Sequence, residues 1–222
     1  MEKKIKRRAK APEKKAKKFE EIINTGKEML RKHGTKGLSI RAIAKKLGMA
    51  QTNLYNYVKS KRELWIAIRS SYYNEYLHPL DGIIKNHKGS YPELFYKISK
   101  FFLDFASIDY HRFEIMFLIS APKSTTKGPF EKVYEPFQIT KRILELIKKG
   151  VNETGVEPGE ILKSFYHDLS LLIGAAKMEA DLRDHFEIKD PFEIKSYINS
   201  PLDFRQYILE RIKKNLENYE IK

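Results

Sequence analysis

Residues 39–64 read SIRAIAKKLGMAQTNLYNYVKSKREL, and their spacing decides how the rest of the chain is read. Ser39 is placed to cap a helix whose apolar residues, Ile40, Ile43, Ala44 and Leu47, recur at offsets 0, 3, 4 and 7. Gly48 ends that helix, and only two or three residues follow before a second short segment begins, too few for anything but a tight helix-to-helix turn. The second segment carries Thr, Gln, two Asn and two Tyr, poor material for a core. With Leu54 at the centre of its inward face and about 100° per residue, Val58 falls beside Leu54. Thr52 and Asn56 fall opposite, flanked by Asn53 and Tyr55, so the amides and hydroxyls form the outward face. Ser60 and Glu63 then form a capping box that opens another helix through Leu64, Trp65 and Ile68. Two helices across a tight turn, the second showing hydrogen-bonding groups outward, have the form of a helix-turn-helix.

Working outward, Phe19, Ile22, Ile23, Gly26, Met29 and Leu30 trace one helical stripe that stops near His33 and Gly34. Residues 1–18 are nearly all charged or small, with Pro12 among them, and are expected to be a flexible basic tail. Beyond His78 and Pro79 the pattern stays helical. Ser90, Tyr91, Pro92 and Glu93 read as a capping box leading into Leu94, Phe95, Ile98, Phe101, Phe102 and Phe105. A short apolar stretch from Phe113 to Ile119 follows, then helical segments near 130–149, 158–181 and 202–218, with no internal repeat. The expectation is an all-α protein of about nine helices. Its domains are a tail (1–18), a helix-turn-helix domain (19–69) and a larger helical domain (70–222).

The formal charge of +14 is not uniform. Residues 1–70 hold 21 Lys and Arg against 6 Asp and Glu, whereas residues 71–222 hold 22 against 23. A basic module joined to a neutral one implies a polyanion-binding part beside a part with another task. The absence of cysteine removes disulfides, thiolate metal sites and a cysteine nucleophile from consideration. The longest apolar run, near Leu171 to Ala176, is far short of the roughly 20 residues of a membrane span. The basic start lacks the apolar region of a secretory signal, so a cytoplasmic protein is expected. Asp181 with His185, and His111 with Glu114, have metal-ligand spacing, but no HExxH, Gly-rich phosphate loop or GxSxG accompanies them. Solvated helix faces account for both pairs more cheaply, and neither a metal, a cofactor nor an enzyme activity is expected.

Taken together, Ile43-Ala44, Leu47-Gly48, Leu54-Tyr55, Tyr57 and Lys61 before Glu63-Leu64 resemble the DNA-binding core of the TetR family of transcriptional regulators, over residues 19–69. The resemblance implies a homodimer that binds a palindromic operator in double-stranded DNA and responds to a small-molecule effector. It assigns groove and phosphate contacts to Gln51, Thr52, Asn53, Tyr55 and Tyr57, a phosphate contact to Lys61, and backbone contacts to Thr35, Ser39 and Arg41. Ala50 stands where the family commonly has a capping Ser or Thr, which leaves the cap to Thr52, Asn53 or water; Val58 stands where Phe is common. The last two long helices, with Gly174, Ala175 and Ala176, correspond to the family's dimerisation helices. An effector pocket would fall among the rings of the larger domain, with Phe95, Phe102, Phe105, Phe113, Phe117, Tyr134, Phe137 and Tyr166 as its expected lining and an apolar or aromatic molecule as its occupant. The rival reading is a nonspecific or architectural nucleic-acid-binding protein without small-molecule control, to which 150 neutral residues with an aromatic interior would be superfluous.

Overall fold

Helix-forming Lys, Ala, Glu and Arg dominate the amino-terminal region, and in the computed structural model, which describes residues 2–133, 138–187, 198 and 200–217, the first helix reaches back to Glu2. It carries Pro12 within it and so differs from the tail expected before Phe19. Helix α1 (Glu2–Gly37) is broken near its end at Gly34, whose φ of 62° leaves the helical region where the sequence placed the stop. The order continues with α2 (Ile40–Lys46), α3 (Gln51–Leu54), α4 (Lys61–Asn86), α5 (Tyr91–Ile108), α6 (Tyr110–Phe113), a π-helical turn (Glu114–Leu118), α7 (Pro129–Val133), α8 (Gln138–Thr154), α9 (Pro158–Glu187) and α10 (Pro201–Glu217). The described residues contain no strand, and the fold class is all-α as expected. None of their helices is long and apolar enough to cross a membrane.

Two compact units form. The first comprises Met1–Glu75 and His111–Glu135; the second comprises Tyr76–Tyr110 and Pro136–Lys222. Helix α4 supplies residues to both, running on through Pro79 where the sequence suggested an end. In the first unit the helical stripe of α1 is buried as Ile22, Ile23 and Leu30, and it shares a core with Ile43, Leu54, Leu64, Trp65 and Ile68. Burial of such side chains contributes about 1.5–3 kcal/mol each.

In the second unit α9 packs on α5, α8 and α10. The expected capping box opens α5: the Glu93 amide donates to Ser90 Oγ and the Ser90 amide donates to Glu93 Oε2 at 3.1 Å. Helix α8 passes through Gly150 instead of ending there, because a Cβ at that position would come within 2.7 Å of the Tyr91 ring. An ionic network ties three helices. Arg205 of α10 donates to Glu179 of α9 at 2.5 and 2.8 Å and to Asp104 of α5 at 2.6 Å, while Arg183 also pairs with Glu179. Glu179 is 2% exposed, so its charge depends on these partners.

Arg205→Ala should therefore destabilise the protein by about 3 kcal/mol, because it strips a buried carboxylate of its better-enclosed partner. Replacing Arg205 and Glu179 together by Met should cost less than the single change, since Asp104 and Arg183 are exposed enough to be solvated. Urea denaturation of the two variants checks the order.

Candidate nucleic-acid interface

Local sequence builds the interface from a tight turn. Ser39 Oγ accepts the Ala42 amide at 3.0 Å and starts α2. At the other end Gly48 takes a φ of 62°, which lets its amide reach the Lys45 carbonyl at 3.2 Å and the Met49 amide reach the Ala44 carbonyl at 2.9 Å. This reciprocal pair closes the helix with a left-handed residue that any Cβ would disfavour. Only Met49 and Ala50 remain before α3. The result is two helices locked across a turn, as the spacing requires.

Helix α3 is shorter than the sequence suggested. Ala50 offers no side-chain cap, neither Thr52 nor Asn53 supplies one, and the first amide-to-carbonyl bonds of the helix, Leu54 to Ala50 and Tyr55 to Gln51, are long at 3.4 Å. After Leu54 the chain tightens: the Asn56 amide donates to Asn53 and the Tyr57 amide to Leu54, three residues back in each case. Asn and Tyr are indifferent helix formers, so nothing local lengthens the helix. The faces nevertheless fall as expected. Leu54 and Val58 are fully buried, whereas Gln51, Thr52, Asn53, Tyr55 and Asn56 are exposed.

Around this face stand exposed cations, Arg41 and Lys45 on α2, Lys59, and Lys61 at the first position of α4. Lys59 also donates to the Tyr55 carbonyl at 2.9 Å, closing the carboxyl end of the turn. Thr35 and Ser39 are half-buried, with the Ser39 hydroxyl oxygen engaged as a cap. Tyr57 is half-buried and Tyr55 is 37% exposed. Lys46 is turned to another use: with Lys32 it holds the Glu28 carboxylate, at 2.6 and 3.0 Å, and brings its pKa down to about 2.

A feature that spacing did not reveal anchors α4. Ser60 Oγ accepts the Glu63 amide at 3.1 Å, half of the expected capping box. The Glu63 carboxylate turns instead to the Lys59 amide, at 2.6 Å, and to the Phe130 and Glu131 amides at the start of α7, at 2.7 and 3.4 Å. Glu63 is completely buried. A Cβ at Gly128 would overlap its oxygens, so that position admits only glycine without rearrangement. Further along α4, Arg62 pairs with Glu131 at 2.6 Å and donates to the Pro122 carbonyl, Arg69 donates to the Ile119 carbonyl, and Tyr73 donates to the Met116 carbonyl at 2.7 Å. Segment 116–131 is thereby bound along one side of α4. Only the charge and helix position of Glu63 were visible in sequence, and its partners lie 67 and 68 residues away.

The rings expected to line an effector pocket do not form one described group. Phe113 and Phe117 belong to the first unit, 5.1 Å apart between ring centres, with Phe117 edge-on to Tyr73. In the second unit Phe105 packs with Tyr76 and Phe101, Phe102 is buried, and Phe95 packs edge-on to Phe165. Tyr166 is 57% exposed, and Tyr134 and Phe137 lie outside the described residues. Of the metal-spaced pairs, His111 Nδ1 lies 3.0 Å from Glu114 Oε2 and Asp181 is paired with Lys177. Among the described residues no three His, Asp or Glu side chains converge on one point.

A helix-turn-helix with its polar face exposed amid cations defines a DNA-binding protein. Residues 22–68 match the family described as "Bacterial regulatory proteins, tetR family". The chain is also 38% identical over 60 residues to the HTH-type transcriptional regulator Rv1816 of Mycobacterium tuberculosis, a stretch covering 27% of this chain and 26% of that protein. Its fold is similar to that of a TetR/AcrR-family transcriptional regulator from Thermobifida fusca (TM-score 0.55, 20% identity, 91% of this chain and 97% of the other). It is likewise similar to a TetR of Acinetobacter baumannii solved in complex with minocycline (TM-score 0.57, 12% identity, 90% and 97%). By its amino-terminal domain the chain is a TetR-family protein, and its fold as a whole is the one those regulators share.

Glu63→Ala should cost about 3 kcal/mol or more, because three buried backbone amides lose their acceptor. Hydrogen exchange should accelerate at Phe130 and Glu131 well before it does in α1, and Glu63→Gln, which keeps one acceptor oxygen, should fall between the two.

Proposed function

We propose that the protein is a dimeric, cytoplasmic transcriptional regulator that holds a palindromic operator through α3 and its flanking cations and releases it when the second unit takes up a small effector. The observation that carries this reading is the exposed, uncharged hydrogen-bonding face of Gln51, Thr52, Asn53 and Tyr55, set on a buried Leu54 and Val58. Amides and hydroxyls discriminate base edges in the major groove, while Lys61, Arg41, Thr35, Ser39 and Tyr57 are suited to phosphate. Lys61 gains from the amino end of α4 beneath it.

Two-headed binding needs a dimer to hold the reading helices about 34 Å apart or a multiple of that. Helix α9 supports this. Its inner stripe, including Ile161, Phe165, Leu172, Ala175 and Ala176, is buried within the protomer. The opposite stripe leaves Leu162, Tyr166 and Met178 exposed beside an open Gly174, and α10 adds Leu202 and Tyr207. An apolar face of that kind is expected to be covered by a second copy. Ala176 and Ile212, suggested by the sequence as interface positions, face inward, and substituting them would damage the protomer itself. Release as the mode of control rests on covalent continuity: the second unit's chain enters and leaves the DNA-binding unit at residues 75, 110 and 135.

Three variants separate the roles. Thr52→Ala and Tyr55→Ala should each relax operator preference, about 1–3 kcal/mol per lost base contact, while leaving the melting temperature almost unchanged. Lys61→Ala should weaken every duplex nearly equally and flatten the salt dependence of binding. If Tyr55→Ala alters stability but not DNA affinity, α3 does not read DNA. Sedimentation tests the assembly: Tyr166→Asp combined with Met178→Asp should yield a folded monomer, and a wild-type protein that is monomeric at micromolar concentration both free and on DNA would overturn the dimer.

A further inference from the structure

In the second unit, the start of α5, the end of α8 and the first half of α9 enclose a cavity of about 10 Å³, room for one water-sized group. Its walls include the rings of Tyr91, Phe95 and Phe165. Tyr91 and Phe95 are 6.2 Å apart between centres, and Phe165 stands edge-on to Phe95 at 6.0 Å. Thr154 and Ser164 bring hydroxyls, although the Thr154 hydroxyl already donates to the Gly150 carbonyl at 2.8 Å. The one charged group in the lining is Asp168. It is completely buried, and although its Oδ1 lies 3.0 Å from His167 Nδ1, its Oδ2 accepts no hydrogen bond from the protein.

A buried carboxylate oxygen without a donor costs the fold several kcal/mol unless something meets it. The surroundings select what can. Burial pushes the Asp168 carboxyl above its ordinary range, against the opposing pull of His167 and Asn215, and burial with the charges of Asp168 and Glu153 raises the Tyr91 phenol to about 12. The site is thus short of positive charge. Ring faces attract cations, and an ammonium with aromatic walls and a carboxylate has both of its preferred partners. An anion would be repelled, and a neutral donor would gain only an ordinary hydrogen bond.

We infer that this cavity binds the ammonium head of a small alkyl- or arylalkylamine, with the carboxylate of Asp168 as counter-ion and Tyr91, Phe95 and Phe165 as its aromatic walls. The head group matches the size of the enclosed space, and the carbon chain lies toward Phe165 and Leu216. The inference refines the effector of the regulator proposed above from merely apolar to cationic with an apolar tail. Its binding arm stands without that reading; its regulatory arm rests on it.

The test uses the full chain and named probes. Calorimetric titration with n-butylammonium and benzylammonium should show binding at least about tenfold tighter than n-butanol and benzyl alcohol, and Asp168→Asn should remove that preference. The same substitution should leave the melting temperature of the amine-free protein unchanged or raised, because it relieves an unmet charge, and should abolish the rise in melting temperature that the amines give the wild type. Equal binding of amine and alcohol, or no binding of either at tens of millimolar, would overturn the site. So would an Asp168→Asn variant that melts several degrees lower, which would make the carboxylate a structural group. A second variant, Phe165→Leu, should weaken amine binding while retaining the fold. Operator affinity is then measured with and without amine: a loss of affinity makes the amine the effector, whereas amine binding with unaltered DNA affinity leaves the site standing and overturns its identification with the effector site.

Discussion

The DNA-binding unit depends on one carboxylate. Glu63 lies at the start of α4, has no exposure to solvent, and accepts the amides of Lys59, Phe130 and Glu131. Such an acceptor is tolerated in a core only when its lone pairs are met, and here backbone groups at the starts of two helices meet them. The Lys59 bond fixes how the chain leaves α3 and enters α4, so the outward face of α3 is set by the same side chain that binds α7. Arg62, Arg69 and Tyr73 extend that attachment over further turns of α4 by taking the carbonyls of Pro122, Ile119 and Met116. A segment arriving from sequence far beyond the helix-turn-helix is therefore an integral part of the reading head.

This arrangement bears on control. The chain leaves the first unit at Glu75, returns at His111 and leaves again after Glu135. The residues between 111 and 133 are held to α4 mainly by hydrogen bonds to backbone groups, which are directional and lost by small displacements, whereas the apolar core of α1, α2 and α4 is not directional. Strain delivered through residues 110 or 135 would fall first on the Glu63 and Arg62 bonds, and only afterwards on Ile43, Leu54 and Trp65. The weakest link between the second unit's chain and α3 is thus a set of hydrogen bonds to one side of α4.

How much of this was legible in sequence follows from the range of the interactions. The turn after α2, the caps at Ser39 and Ser90, the break at Gly34 and the inward position of Leu54 and Val58 depend on neighbours within a few residues, and periodicity revealed all of them. Helices that run through Pro12, Pro79 and Gly150 were missed because each has a local breaker whose cost is met elsewhere, as Gly150 shows by admitting the Tyr91 ring. The short α3 went unseen for the opposite reason: its periodicity was right, but without a cap at Ala50 the pattern outran the helix. Glu63, Arg205 and Glu179 depend on partners 26 to 101 residues away, which no spacing rule reaches. The aromatic set failed as a pocket because rings fill ordinary cores as readily as they line cavities.

Three buried acids show how satisfaction separates structure from function. Glu63 has three amides and Glu179 has two guanidiniums, and removing either would leave partners without an acceptor. Asp168 is buried as completely as Glu63, yet one of its oxygens is met by no protein donor and the nearby charge of Glu153 aggravates its position. A side chain retained only for stability at that site would serve better as Asn or Leu, because neither carries a charge into a ring-walled cavity. The free energy held in the unmet oxygen is available to a cation that enters, and that turns a defect in the fold into a source of affinity for one class of ligand.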